Sequence, residues 1–206
     1  MSALSEDQSL QIRPIKEHIG AEITGVDLTQ PVDEATRQAL RDAVNENVAL
    51  VIRDQHFTPA QFATAAELFG ELMPDQIKSN LVEGLPMVSI LSNFEKDSMG
   101  NQAKVPKSAT WHTDHTNQEF PPKFTMLYAV ELPDSGGDTQ YVNMQGAYDG
   151  LPEDTKRRIE GLKAVQVYQN SHSTRKLTGL SAEAKAKVPE SVIHPIVRTH
   201  PESGRK

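Results

Sequence analysis

A chain of 206 residues with no cysteine has the size of one domain, and it excludes disulfides, iron–sulfur clusters and thiolate chemistry, leaving histidine and carboxylate as its metal ligands. The formal charge of −7, from 28 acidic against 21 basic residues, lacks the basic field that nucleic acid or an anionic membrane requires. A small anionic substrate stays open, because a few well-placed Lys or Arg can serve it. No apolar run approaches the roughly 20 residues of a membrane span. Met1 to Leu10 is acidic, lacks the basic start and apolar stretch of a secretory signal, and reads as a flexible tail. The composition suits a reducing cytoplasm.

Leu10 to Ile15 and Ile23 to Leu28 read as short strands separated by glycine-punctuated turns. From Asp33 to Asn47, Ala35, Ala39, Leu40, Ala43 and Val44 recur at helical spacing and predict an amphipathic helix. Val48 to Arg53 follows as a buried strand. Thr58-Pro59-Ala60-Gln61 is a capping box with proline at the first helical position, and Phe62, Ala65, Ala66 and Phe69 continue on one face until Gly70. Those aromatics are expected to pack in the core. Met87 to Leu91 is a strand candidate, and Glu95 to Lys107 is a polar loop, open to reading as a mobile lid or as an exposed linker.

Phe124 to Glu131 and Asp138 to Met144 read as consecutive strands around a Pro133 to Gly137 turn. Pro152 to Leu162 opens with proline as a short helix, Ala164 to Tyr168 returns to strand, Ser171 to Pro189 is polar loop with one helix at most, and His194 to His200 is the last strand. The sum is a mainly β fold with flanking helices.

Chemistry concentrates in Ala109-Thr110-Trp111-His112-Thr113-Asp114-His115-Thr116. In an extended strand, alternate side chains share a face, so His112 and Asp114 would point together while Trp111, in the core, and His115 point the other way. An imidazole and a carboxylate on one face are two thirds of the two-histidine, one-carboxylate triad that holds ferrous iron and leaves the opposite face open. The bare pattern is weak, since a chain of this composition holds about one His-x-Asp/Glu by chance. The other instance, His200-Pro201-Glu202, sits in a turn context beside Ser203-Gly204. Without its context, His112 would read as an ordinary hydrogen-bonded histidine and Asp114 as a surface carboxylate.

Context is supplied by three blocks in order: Trp111-His112-Thr113-Asp114 with Thr116, then Leu132-Pro133-Asp134-Ser135-Gly136-Gly137-Asp138-Thr139, then His194-Pro195-Ile196-Val197-Arg198-Thr199-His200-Pro201 with Ser203-Gly204-Arg205-Lys206. Together they resemble the taurine dioxygenase family of iron(II)- and 2-oxoglutarate-dependent oxygenases, a group that includes the aryloxyalkanoate (2,4-D type) dioxygenases. The similarity runs from about Ile12 to the last residue. It implies a double-stranded β-helix, or jelly-roll, core, with residues 11–206 as one oxygenase domain.

The resemblance further implies that His112 and Asp114 bind Fe(II), and that the Thr139 hydroxyl contacts the distal carboxylate of 2-oxoglutarate. Gly136 and Gly137 would form the turn before it. No catalytic side chain apart from the metal ligands is assigned. The reaction would consume O2 and 2-oxoglutarate, release succinate and CO2, and hydroxylate an aryloxyalkanoate or a sulfonate- or sulfate-ester-like substrate, with Ser108 and Lys78 as candidates to meet its anionic group. Sulfonate-using relatives place His and Tyr just after the helix ending Phe69-Gly70-Glu71-Leu72; here Met73-Pro74-Asp75-Gln76-Ile77-Lys78-Ser79-Asn80 stands there, which argues against taurine.

In the family the block matching His194 to Lys206 is followed by strands that carry the second metal histidine and an arginine for 2-oxoglutarate. Neither is assigned to a residue of this sequence, and His194 and His200 match neither. The domain is therefore expected to be incomplete at its C-terminus, with unpaired sheet edges that favour self-association. Two further readings stay open: a non-catalytic binding module, and a zinc hydrolase using His112, Asp114 and His115. His18, His56 and His172 have no partner pattern and are expected at the surface.

Overall fold

The computed structural model describes residues 9–74, 81–92, 94–96, 102–104, 111–167 and 191–206. Nine short strands and four helices occur among them. The chain divides into two units, the first built from Met1–Gly70, Leu127–Lys163 and Pro195–Lys206, the second from Glu71–Met126 and Ala164–His194.

The first unit is organised on a three-stranded sheet. Strand β1 (Gln11–Pro14) runs antiparallel to β2 (Ala21–Thr24), with Ile12 opposite Ile23, and β2 runs parallel to β3 (Leu50–Ile52), with Ala21 opposite Leu50. A parallel pair needs a crossover, which helix α1 (Glu34–Asn47) supplies. Strand β2 is the centre of the core: Ala21 and Ile23 are fully buried, as is Leu40 on the face of α1, with Ala43 and Leu28 close behind. Full burial of an Ile or Leu side chain contributes about 1.5–3 kcal/mol each.

Helix α1 starts where Asp33 accepts a hydrogen bond from the Thr36 N–H at 2.8 Å. It ends at Asn47, as expected, but the strand after it opens later. Val48, predicted to open β3, instead stands at φ 69° as the helix C-cap and donates its N–H to Val44 O at 2.8 Å. A β-branched residue is strained in that region; the geometry is held by Gly20 N–H on Asn47 O and Ala21 N–H on Ala49 O, at 2.8 and 3.0 Å. The predicted burial of β3 is also only partial, with Val51 38% exposed.

Helix α2 (Pro59–Glu67) has the capping box that its sequence announces: Thr58 accepts from Gln61 N–H, and the Gln61 side chain accepts from Thr58 N–H. Phe62 joins Phe57 and Tyr128 in an aromatic cluster with ring centroids 5.3–6.0 Å apart, and Phe57 N–H donates to the Tyr128 hydroxyl at 3.3 Å. Gln55 ties the end of the sheet to the following loop, accepting from Leu28 N–H and donating to Val26 O, both at 2.8 Å.

The predicted strands over Phe124 to Glu131 and Asp138 to Met144 do not form. Backbone in this stretch finds no ladder partner among the described residues, and Leu127, Val130 and Leu132 are 59%, 86% and 75% exposed. Strand propensity expresses itself only on a sheet that offers hydrogen bonds and a face to press against. The turn between the segments does form, with Gly136 and Gly137 both at φ 74°, where a Cβ is disfavoured. Helix α3 (Met144–Asp149) then starts on Asn143, whose side chain accepts from Gly146 N–H and donates to His18 O. Helix α4 (Glu153–Ile159) falls inside the predicted span, and Arg205 pairs with Asp149 at 2.6 Å.

The second unit carries β4 (Leu81–Val82) and β5 (Leu85–Ser89), joined at Gly84, φ 75°, with Val88 buried. The predicted loop from Glu95 to Lys107 contains an antiparallel pair instead, β6 (Phe94–Lys96) with β7 (Gln102–Lys104). Short polar strands lack the alternation that would have revealed them. Strand β8 (Lys163–Gln166), close to its predicted place, pairs with β9 (Val192–Pro195), which overlaps only the first two residues of the strand predicted over His194 to His200. The predicted loop at Ser171 to Pro189 lies outside the described residues. Among those described, no helix is long and apolar enough to cross a membrane.

Candidate functional site

The segment predicted as an extended strand around His112 is irregular through Thr113 and then turns over 114–117, with His115 at φ 51° and Gln118 N–H donating to His115 O at 2.9 Å. Asp, Asn and His tolerate the left-handed region better than other side chains, and Asp114-His115-Thr116-Asn117 is turn-prone for that reason. Trp111, expected in the core, is 67% exposed, on backbone that joins no sheet among the described residues.

Despite the turn, His112 and Asp114 meet: His112 Nε2 lies 3.4 Å from Asp114 Oδ1, and both side chains remain a little under half exposed. Two donors each about 2.1 Å from one ion can be up to about 4.2 Å apart, so a single cation fits between these two. Imidazole nitrogen and carboxylate oxygen are donors that divalent iron accepts. The other carboxylate oxygen, Asp114 Oδ2, accepts from Thr125 Oγ1 at 2.8 Å.

Two more contacts fix the turn within the same unit. Thr116 Oγ1 donates to Gln166 Oε1 on β8 at 3.2 Å, and His194 Nε2 on β9 lies 2.9 Å from Gln118 O. A carbonyl only accepts, so His194 carries its proton on Nε2 and holds the loop rather than offering that nitrogen to a metal. Nothing in the sequence marked Thr125, Gln166 or His194 for these contacts, since the pairs are separated by 11, 50 and 76 positions.

His115 does not complete a trio. Among the described residues no group of three or more His, Asp or Glu side chains is placed to hold a metal ion, which removes the zinc site of His112, Asp114 and His115. His200 accepts from Ser203 N–H at its Nδ1 in the expected turn. His18 is exposed beside Glu17, and His56 is exposed. Thr139 belongs to the first unit, on exposed irregular backbone two residues beyond Gly137. Ser108, Lys78 and His172 lie outside the described residues.

Residues 11–206 match the model of the family described as taurine catabolism dioxygenase TauD, TfdA, and the chain belongs to that family. It is 32% identical to an alkylsulfatase of Acinetobacter baylyi, over 97% of this chain and 62% of the relative. It is 30% identical to an alpha-ketoglutarate-dependent 2,4-dichlorophenoxyacetate dioxygenase of Cupriavidus pinatubonensis, over 96% of this chain and 72% of the relative. Among solved structures, a taurine dioxygenase from Burkholderia xenovorans superposes with TM-score 0.71 at 28% identity, over 96% of this chain and 61% of that one. AAD-2, solved with Mn(II) and N-oxalylglycine, gives TM-score 0.71 at 25% identity, over 96% and 67%. The chain thus spans about three fifths of the alkylsulfatase and of the taurine dioxygenase.

Proposed function

We propose that this chain carries two of the iron ligands and one keto-acid contact of a dioxygenase that hydroxylates a small anionic organic molecule. The observation that carries the reading is the 3.4 Å approach of His112 Nε2 to Asp114 Oδ1 inside a chain of this family. In this reading His112 and Asp114 hold Fe(II), and Asp114 also lowers the net charge of the dication. Thr139 donates its hydroxyl to the distal carboxylate of 2-oxoglutarate, a charge-assisted hydrogen bond stronger than a neutral one. Gly136 and Gly137 shape the turn that delivers Thr139. The jelly-roll core of the family is the frame proposed for both.

When bound, ferrous iron and 2-oxoglutarate supply the activation of O2 that couples keto-acid decarboxylation to hydroxylation of a substrate C–H bond. The protein's part is to place donors, cosubstrate and target in register. The partial exposure of His112 and Asp114 leaves the open side of the pair accessible to a soluble substrate. Relatives named for sulfate esters, sulfonates and aryloxyalkanoates support those three as the substrate classes to try. A reducing, cytoplasmic setting would keep the iron ferrous, and exposed Val130 and Leu132 favour self-association.

The test is anaerobic titration of Fe(II) and 2-oxoglutarate into the 206-residue chain, followed by visible charge-transfer absorption, and then by succinate release when O2 and each substrate class are added. A band that needs both additions and disappears in His112→Ala supports the proposal. A band unchanged by that substitution, or no Fe(II) binding at all, defeats it.

A further inference from the structure

Asp114 has two carboxylate oxygens, and the structure gives them different neighbours. Oδ1 faces His112 Nε2 at 3.4 Å, whereas Oδ2 is taken by the Thr125 hydroxyl at 2.8 Å. We infer that Thr125 is a positioning residue for the metal pair, holding the Asp114 carboxylate so that one oxygen alone is presented to the ion beside His112. The inference rests on the reading of His112 and Asp114 as ligands.

Three physical features lead to it. The terminal torsion of an aspartate is broad and roughly two-fold, so backbone placement does not by itself fix the plane of the carboxylate. The loop carrying Asp114 has no strand ladder to stiffen it, so the orientation must come from a tether, and Thr125 supplies one from 11 residues further along. A hydroxyl donating to an ionised carboxylate makes a charge-assisted hydrogen bond, stronger than a neutral one, and at 2.8 Å the contact here is well within hydrogen-bond range. With Oδ2 engaged, Asp114 binds through one oxygen and leaves more of the ion's coordination sphere for other ligands. Without the hydroxyl the carboxylate turns freely and either misses the ion or takes two positions on it.

Groups that hydrogen-bond to metal ligands change metal affinity by about 10- to 100-fold when removed. The Thr125–Asp114 bond is exposed, and water replaces part of it, so the lower end of that range applies. The test is titration of Mn(II) into the 206-residue chain, read by the loss of the free-ion EPR signal, for the parent protein and for Thr125→Val, Thr125→Ser and His112→Ala. Thr125→Val keeps the shape without the donor and is expected to bind about 10-fold more weakly. Thr125→Ser is expected to restore the parent affinity, and the melting temperatures of the parent, Thr125→Val and Thr125→Ser without metal are expected to coincide. Parent-like binding by Thr125→Val overturns the inference while leaving the ligand reading intact, provided His112→Ala still loses the ion. A loss in Thr125→Val that Thr125→Ser fails to repair overturns it too. If the parent shows no His112-dependent binding, the ligand reading falls and this inference with it.

Discussion

Replacing Leu40 by Ala probes the packing that the first unit depends on. Leu40 is fully buried on the face of α1 that packs against β2 and β3, where Ala21 and Ile23 are equally inaccessible. The substitution removes three carbons, about 2.4 kcal/mol of transfer free energy at about 0.8 kcal/mol per methylene. A residual cavity adds to this, because a crossover helix tied at both ends collapses only partly, which puts the total at about 3 kcal/mol within the usual range of about 2–5. For a chain of this length that lowers the melting temperature by about 6–12 °C. Equilibrium urea unfolding followed by far-UV circular dichroism measures it, a shifted midpoint at constant slope being the signature of lost stability. Val51→Ala, at a position 38% exposed on the neighbouring strand, is the comparison and is expected to cost about 1 kcal/mol. Equal shifts for the two variants would refute the placement of Leu40 at the centre of the core.

Removing the hydroxyl that opens α2, by Thr58→Ala, takes away the acceptor of the Gln61 N–H while leaving the Thr58 N–H on the Gln61 side chain, and is expected to cost about 1 kcal/mol, with Thr58→Ser close to the parent; thermal unfolding checks it. Asp33 is held below its ordinary carboxylate range by the backbone N–H of Thr36, and Asp27 likewise by its side-chain and backbone hydrogen bonds to Thr29. Because folding depresses both values, their stabilisation is full above the ordinary carboxylate pKa and is lost as pH falls through the lowered folded values. Urea midpoints measured from about pH 6 down to about pH 3 should fall, and Asp33→Asn, which keeps the cap without the titration, should fall less steeply.

What could be read from the sequence was local. The caps of α1 and α2 are interactions over three positions, from Asp33 to Thr36 and from Thr58 to Gln61, and the residues that form them announce them. The approach of His112 to Asp114 was also within reach, because the two are only two positions apart, but the strand expected to align them does not form and the pair meets on irregular backbone that leads into a turn. The strand reading of Phe124 to Glu131 failed because pairing is a property of two segments, and the residue pattern of one cannot report that no partner lies beside it among the described residues. Thr125 shows the same limit at the site. In the sequence it is one more β-prone residue, and only the coordinates reveal the hydroxyl on Asp114.

The division of the chain into units has a consequence for its biogenesis. The polypeptide changes unit after Gly70, Met126, Lys163 and His194, so neither unit is a continuous piece that a single cut could release. The opening sheet and its two helices lie before Gly70, yet the unit they belong to also draws on Leu127–Lys163 and on Pro195–Lys206. Contacts between such distant stretches slow folding, since the chain must close long loops before those contacts form. The stretch of the first unit that comes earliest in this sequence is therefore completed only by segments far along it.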